Sequence, residues 1–310
     1  MKKAVCVLCL LAFASPDLFC QDEGFPDLAG PYLGQKAPGL TPEVFAPGVV
    51  STDAHEFACS FTPDGKELYF TRRESRQSPT LIMVCRCADG VWTKPEAVPF
   101  NDTSARAGGM SFEPMVTPDG RRLYFSSDRP LAAQAGPGGP PMLNTWFVEW
   151  SGDRWGAPQN PGAPFNPMKT MYISMTRDGT IYTTDVSQGM GRESIAVIKS
   201  VNGTFQAAEL LGPPVNAGLR TIYPFVSPDE AFLIFCRSKT GEQKGEELLV
   251  SYRNPDGDWA EPRMIDLGMQ AGTPYVSPDG KYLFFTGGER GKSDIYWVDA
   301  RVIGTSSMGR

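Results

Sequence analysis

The sequence is poor in the side chains on which much hydrolytic and metal chemistry depends. Its 310 residues contain one histidine, His55. A site built from several imidazoles is therefore excluded, and a Ser-His-Asp triad would have to use that single residue. No Gly-x-Ser-x-Gly elbow, glycine-rich phosphate cradle or EF-hand loop accompanies it. No metal and no cofactor is expected. An excess of charge is also lacking, since 29 basic against 35 acidic residues leave a net −6. That balance argues against a nucleic-acid or anionic-membrane partner. Helical periodicity is absent beyond the N-terminal segment, and so is an apolar run long enough to cross a bilayer.

The N-terminal segment is MKKAVCVLCLLAFASPDLFCQDE. Lys2 and Lys3 precede a short apolar stretch at 4–14, the pattern of a secretory signal peptide spanning 1–20. Cleavage is expected after Ala14, where Ala12-Phe13-Ala14 fits the small-x-small rule, or at Cys20. Phe19 stands where a lipidated Cys20 would want a small residue, which argues against an anchor there. The expected location is periplasmic or secreted. Of seven cysteines, Cys59, Cys85, Cys87 and Cys236 remain beyond the leader. Cys85 and Cys87 lie two apart on one face of a strand, where direct pairing would strain the backbone. All four are expected as free, largely buried thiols.

What is present is turn chemistry. There are 33 glycines and 28 prolines, aromatics make up 11% of the chain, and one phrase recurs. It reads FTPDGKELYF at 61–70, VTPDGRRLYF at 116–125, VSPDEAFLIF at 226–235 and VSPDGKYLFF at 276–285, with a worn copy, MTRDGTIYTT, at 175–184. The marker residues Asp64, Asp119, Asp178, Asp229 and Asp279 are 55, 59, 51 and 50 residues apart. A period near fifty filled with short alternating strands signals a β-propeller. Each unit reads as four strands, an inner one entering the turn, a second leaving it, a third after a variable loop, and an outer one such as VWTKPEAV, RWGAPQN, TFQAAELL or DWAEPRMI. The last unit lacks its outer strand, and TPEVFAP at 41–47 resembles TKPEAVP at 93–99. The expected fold is thus all-β, a single closed propeller of five four-stranded blades with the ring closed by the N-terminal strand. Six blades are the fallback. The propeller is assigned to 41–303, between an extension at 21–40 and a tail at 304–310.

In Thr-Pro-Asp-Gly, Pro63 fixes φ at the first corner, Asp64 occupies the second, and Gly65 tolerates positive φ. Catalysis seldom needs the same aspartate five times, so its expected role is to turn a corner. The unit [FV]-[TS]-P-D-G-x-x-[LI]-[YF]-F-[TS], with the later strand Asp294-Ile295-Tyr296, resembles the WD-like repeat of TolB-like propellers from exported bacterial proteins. The likeness covers 41–300. It implies the fold and says little of activity, because such propellers include binding modules, peptidase-associated domains and lyases. Residues 21–40 are too few for the separate domain that TolB-type proteins place before their propeller.

Ligands are expected on the face where inner strands begin. Alignment of the units puts His55, Met110, Lys169, Arg220 and Gln270 at equivalent starting positions, with Ala58, Glu113, Tyr172, Tyr223 and Thr273 three residues on. Loops between second and third strands add Arg72, Arg129, Arg237, Lys239, Arg290 and others. The expected ligand site is His55, Glu56, Glu113, Lys169, Tyr172, Arg220, Tyr223 and Tyr275, rimmed by Arg72, Arg129 and Arg237. These groups suit a polar or anionic small molecule, a glycan or a protein partner. The leading expectation is a non-catalytic, monomeric binding or scaffolding module. The alternative is a polysaccharide hydrolase or lyase using Glu56, Glu113 and His55, which needs paired carboxylates across an open cleft.

Overall fold

The computed structural model describes residues 28–102, 109–131, 143–218, 220–238, 245–289 and 292–304. The leader, the Gly/Pro-rich stretch at 135–142, the tail beyond 304, Lys239 and Arg290 lie outside the described residues.

Five antiparallel sheets, one per repeat, form a five-bladed propeller. The first blade is His55–Phe61, Glu67–Arg73, Leu81–Ala88 and Glu96–Ala97. The second is Ser111–Val116, Arg122–Ser127 and Asn144–Glu149, with a single bridge between Phe147 and Gln159 in the outer position. The third is Thr170–Met175, Ile181–Asp185, Ser194–Ile198 and Glu209–Leu210, and the fourth Thr221–Val226, Phe232–Ser238, Glu246–Tyr252 and Arg263–Met264. The fifth is Gly272–Val276, Tyr282–Glu289 and Lys292–Asp299, completed by Glu43–Val44. Proline beside the outer segments of the first, fourth and fifth blades (Pro95, Pro262 and Pro42) removes ladder donors and keeps those strands to two residues. In the second blade Gly156 and Pro158 reduce the outer strand to its bridge.

The ring closes as the repeat count requires. Glu43 pairs with Trp297 and Val44 with Tyr296, and the Phe45 amide donates to Ile295 O at 2.8 Å. Phe45 is fully buried, its ring edge-on to Phe284 and Trp297 at centroid distances of 5.0 and 5.1 Å.

The repeated turns are held by their aspartates. Asp64 Oδ1 accepts the Thr62 hydroxyl at 2.6 Å and the Lys66 amide at 3.1 Å, and Asp119 does the same for Thr117 and Arg121 at 2.6 and 3.0 Å. The following residue is Gly65, Gly120, Gly179 or Gly280, each at positive φ, but in the fourth blade it is Glu230 at φ +59°.

Between neighbouring blades, Phe61, Val116, Val226 and Val276 are buried at equivalent positions, and Met175 is half-buried. Each inner strand slips register once, and the slipped positions are Ala58, Glu113, Tyr172, Tyr223 and Thr273, at φ +47°, +57°, +49°, +57° and +42°. A bulge removes the inserted residue's amide from its own ladder, so that donor must find another acceptor. At three of the five positions a threonine on the second strand of an adjoining blade supplies it. Thr71 Oγ1 accepts the Glu113 amide at 3.0 Å, Thr184 that of Tyr223 at 3.0 Å, and Thr286 that of Ala58 at 3.2 Å. Cys59, Cys85 and Cys236 are buried, Cys87 is half-buried, and all four are free thiols.

Candidate functional site

The inner strands enclose a cavity of about 950 Å³. It reaches from Glu113 and Tyr172 to the turn residues Pro63, Pro118, Pro228 and Asp279. Its walls therefore run along the inner strands from the bulges to the corners, and Pro63, Pro228 and Asp279 at the corner end are exposed. The sequence reading placed the ligand at the opposite end, where inner strands begin.

Tyr172 separates the two ends. From the third blade its hydroxyl crosses to Pro274 O of the fifth at 2.7 Å, and Tyr223 packs edge-on to it with centroids 5.4 Å apart. Tyr172 is thus a plug in the channel and not a rim.

Glu113 lies beside it, at the seam between the second and third blades. Its Oε2 accepts the Tyr172 amide at 3.0 Å and the Ser126 hydroxyl at 3.3 Å, so the carboxyl stands between blades where three other seams use Thr71, Thr184 or Thr286. Neither bond uses Oε1, and the residue lines the cavity. Burial pushes its carboxyl up to about 7, against the pull of those two donors.

The other expected residues are engaged elsewhere. Glu56 has no exposed surface. Its carboxylate accepts Arg72 Nε at 2.8 Å, the Thr52 hydroxyl at 2.6 Å and the Thr52 amide at 3.2 Å. Burial raises the Glu56 carboxyl, and the Thr52 and Arg72 contacts oppose that rise. Arg72 also donates to Val49 O and Val50 O at 2.8 and 3.1 Å. Arg129 donates to Phe100 O at 2.7 Å, and Arg237 to Pro214 O and Val215 O at 2.5 and 2.7 Å. Each of the three guanidiniums lies over a second-strand ring, Phe70, Phe125 or Phe235, at 5.3, 5.8 and 5.4 Å. They clamp the carbonyls of the loops that lead away from the outer strands.

Arg220 is bonded to Glu193 at 2.9 Å and to Glu246. His55 Nδ1 meets the Ser293 hydroxyl at 2.6 Å, and burial, with Arg73 nearby, lowers its pKa. Lys169 is exposed, at the left-handed end of the short helix Phe165–Met168. Tyr275 lines the cavity and donates to Phe61 O. Of the expected set, the structure brings together Glu113, Tyr172 and Tyr275 around the cavity, with Tyr223 behind the plug. It does not bring Glu56, His55, Lys169 or the arginines to that wall.

The sequence reading overlooked the corner end, where Arg177, Asp229, Glu230 and Arg253 line the opening. One signal was available, because VSPDEAFLIF is the well-preserved copy without glycine after its aspartate. Glu230 holds that strained position with its carboxylate on Tyr182 and on Arg253 at 3.0 Å. Among the described residues no group of three or more His, Cys, Asp or Glu side chains is placed to hold a metal ion.

No family model matches the sequence, and no curated protein matches it. Solved structures do. A putative TolB from Agrobacterium tumefaciens superposes with a TM-score of 0.50 at 17% identity, covering 81% of this chain and 79% of that one. A thermostable family-43 glycoside hydrolase gives 0.51 at 12% identity, over 84% and 91%. TolB from Acinetobacter baumannii gives 0.48 at 13% identity, and the match spans 81% of this chain but only 53% of that longer one. At such identities the likeness is one of fold.

Proposed function

We propose that the protein is an exported, non-catalytic binding propeller of the cell envelope that takes a small polar ligand in its central cavity. The observation that carries this reading is the cavity itself, open among the repeated turns and floored by Glu113 and Tyr172. Export rests on the leader. The absence of catalysis rests on geometry, because glycoside hydrolysis needs two carboxyl groups facing one cleft. Glu56 is tied to Arg72 and Thr52 and does not line the cavity. The remaining cavity carboxylates, Asp229, Glu230 and Asp279, stand at the corners, and Glu230 and Asp279 are bonded to Tyr182 and Tyr32. The arginines expected to attract an anion are spent on carbonyls and on Glu193 and Glu246.

A calorimetric screen of glycan, peptidoglycan-fragment and amine libraries tests this reading, with Met115→Trp and Phe225→Trp as separate cavity-filling variants. Both positions line the cavity. Ligands found in the screen should bind the folded variants at least tenfold more weakly. Undiminished binding by both variants would place the site elsewhere, and turnover of a bound glycan would overturn the non-catalytic assignment.

A further inference from the structure

The floor of the cavity has the chemistry to choose among ligands. Glu113 is a buried carboxyl whose two protein bonds both fall on Oε2. Among the described residues no cation is bonded to it. The phenols of Tyr172 and Tyr223 stand beside it, the thiols of Cys59 and Cys236 lie close to Tyr172, and burial raises all four, while Arg220 and Glu246, paired with each other, act on Tyr223 and Cys236. Tyr275, on the fifth inner strand, is raised in the same way. All five stay neutral across the physiological range, so among these described groups it is Glu113 that titrates near neutrality.

Aromatic rings line the same space, among them Tyr172, Phe225 and Tyr275, with Phe225 edge-on to Tyr275 at 5.7 Å. An ionised carboxylate without a counter-ion, among aromatic rings, is the setting in which an organic cation gains most. A neutral hydroxyl ligand would donate to Oε1 as well, yet it would cover the carboxylate and leave its charge uncompensated. The charges at the opening are balanced and leave the choice of sign to the floor, since Asp279 is paired with Lys281 at 3.1 Å, Glu230 with Arg253 at 3.0 Å, and Arg177 acts on Asp229.

We propose that the cavity binds the ammonium group of an aliphatic amine, with Glu113 Oε1 accepting its N–H and the rings of Tyr172, Phe225 and Tyr275 surrounding its charge. This rests on the assignment of the cavity as the ligand site and gives that site its ligand class.

The test is isothermal titration of the purified protein with cadaverine and with 1,5-pentanediol, its uncharged isostere, at pH 6 and pH 8. An ammonium needs the ionised carboxylate, so cadaverine should bind about tenfold more tightly at pH 8 than at pH 6. It should bind at least tenfold more tightly than the diol. Glu113→Gln keeps an acceptor for the Tyr172 amide but removes the charge. It should weaken cadaverine at least tenfold and abolish the pH dependence, with Phe225→Leu weakening binding independently. The proposal is overturned by equal or tighter binding of the diol, by affinity that falls with pH, or by unchanged binding in Glu113→Gln. No heat at cadaverine concentrations of about 10 mM also overturns it. Diol binding that Met115→Trp abolishes would refute the amine but keep the cavity. Cadaverine binding indifferent to Met115→Trp would refute the cavity itself.

Discussion

At Glu113 a structural and a recognition demand meet in one carboxyl group. Because burial raises its folded pKa to about 7 from the ordinary 4.5, the native state holds the proton more tightly than the unfolded chain. The resulting stability is fully present below about pH 4.5 and is lost as pH rises through 7. Glu113→Gln, which cannot ionise, should therefore melt near the parent at pH 5 and above it at pH 8, by an increment on the order of 1–3 kcal/mol. Scanning calorimetry at the two pH values checks this, and a variant less stable than the parent at pH 8 would contradict it. Arg72 presents the opposite case. Removing it strands a carboxylate with no exposed surface and frees two carbonyls, those of Val49 and Val50. Arg72→Met should cost about 3–5 kcal/mol in urea unfolding, while Glu56→Gln, which leaves no buried charge behind, should cost less. If Arg72 instead belonged to a ligand site, Arg72→Met would spare stability and weaken binding.

The inter-blade latches belong to the scale of elements. Thr71→Val keeps the side-chain shape and removes the acceptor of the buried Glu113 amide, which should cost about 1–3 kcal/mol. Amide hydrogen exchange at Glu113 should accelerate by the same free energy; unchanged exchange would show that the amide has another partner. These latches also mark the limit of what the residues disclose. The turns, the blade count and the pairing of 41–47 with the last blade were legible, because proline, aspartate and glycine have fixed backbone preferences and the repeat displays them side by side. The bulges were not. Their left-handed residues are Ala58, Glu113, Tyr172, Tyr223 and Thr273, types with no preference for that conformation, held there by the ring. The loop arginines read as a ligand-binding rim because charge shows in a sequence and carbonyl acceptors do not. Glu113, Tyr172 and Tyr275 were identified as candidates, but which end of the channel they serve depends on a hydrogen bond from Tyr172 to Pro274, 102 residues away.

For the whole molecule the decisive feature is that the ring has no free edge. Four of the blades take their outer segment from the same repeat as the inner ones, and the fifth takes Glu43–Val44 from the other end of the chain. Without that segment, the strand Lys292–Asp299 would present unpaired amides and carbonyls, a template for another chain. Phe45 adds the apolar part of the closure, fully buried against Phe284 and Trp297. Phe45→Ala should accordingly cost about 3–5 kcal/mol, as much as a core truncation inside any blade, although the residue lies near the start of the described chain. A chain starting at Val50 should lose cooperative unfolding and associate through the uncovered edge, visible in light scattering as species larger than the parent protein. Adding a peptide that spans residues 41–49 should restore the parent's size and part of its melting temperature, since it supplies both the missing ladder and the missing ring. If the shortened chain has the same size and melting temperature as the parent, the first strand only covers the fifth blade, and the inner packing alone holds the ring shut.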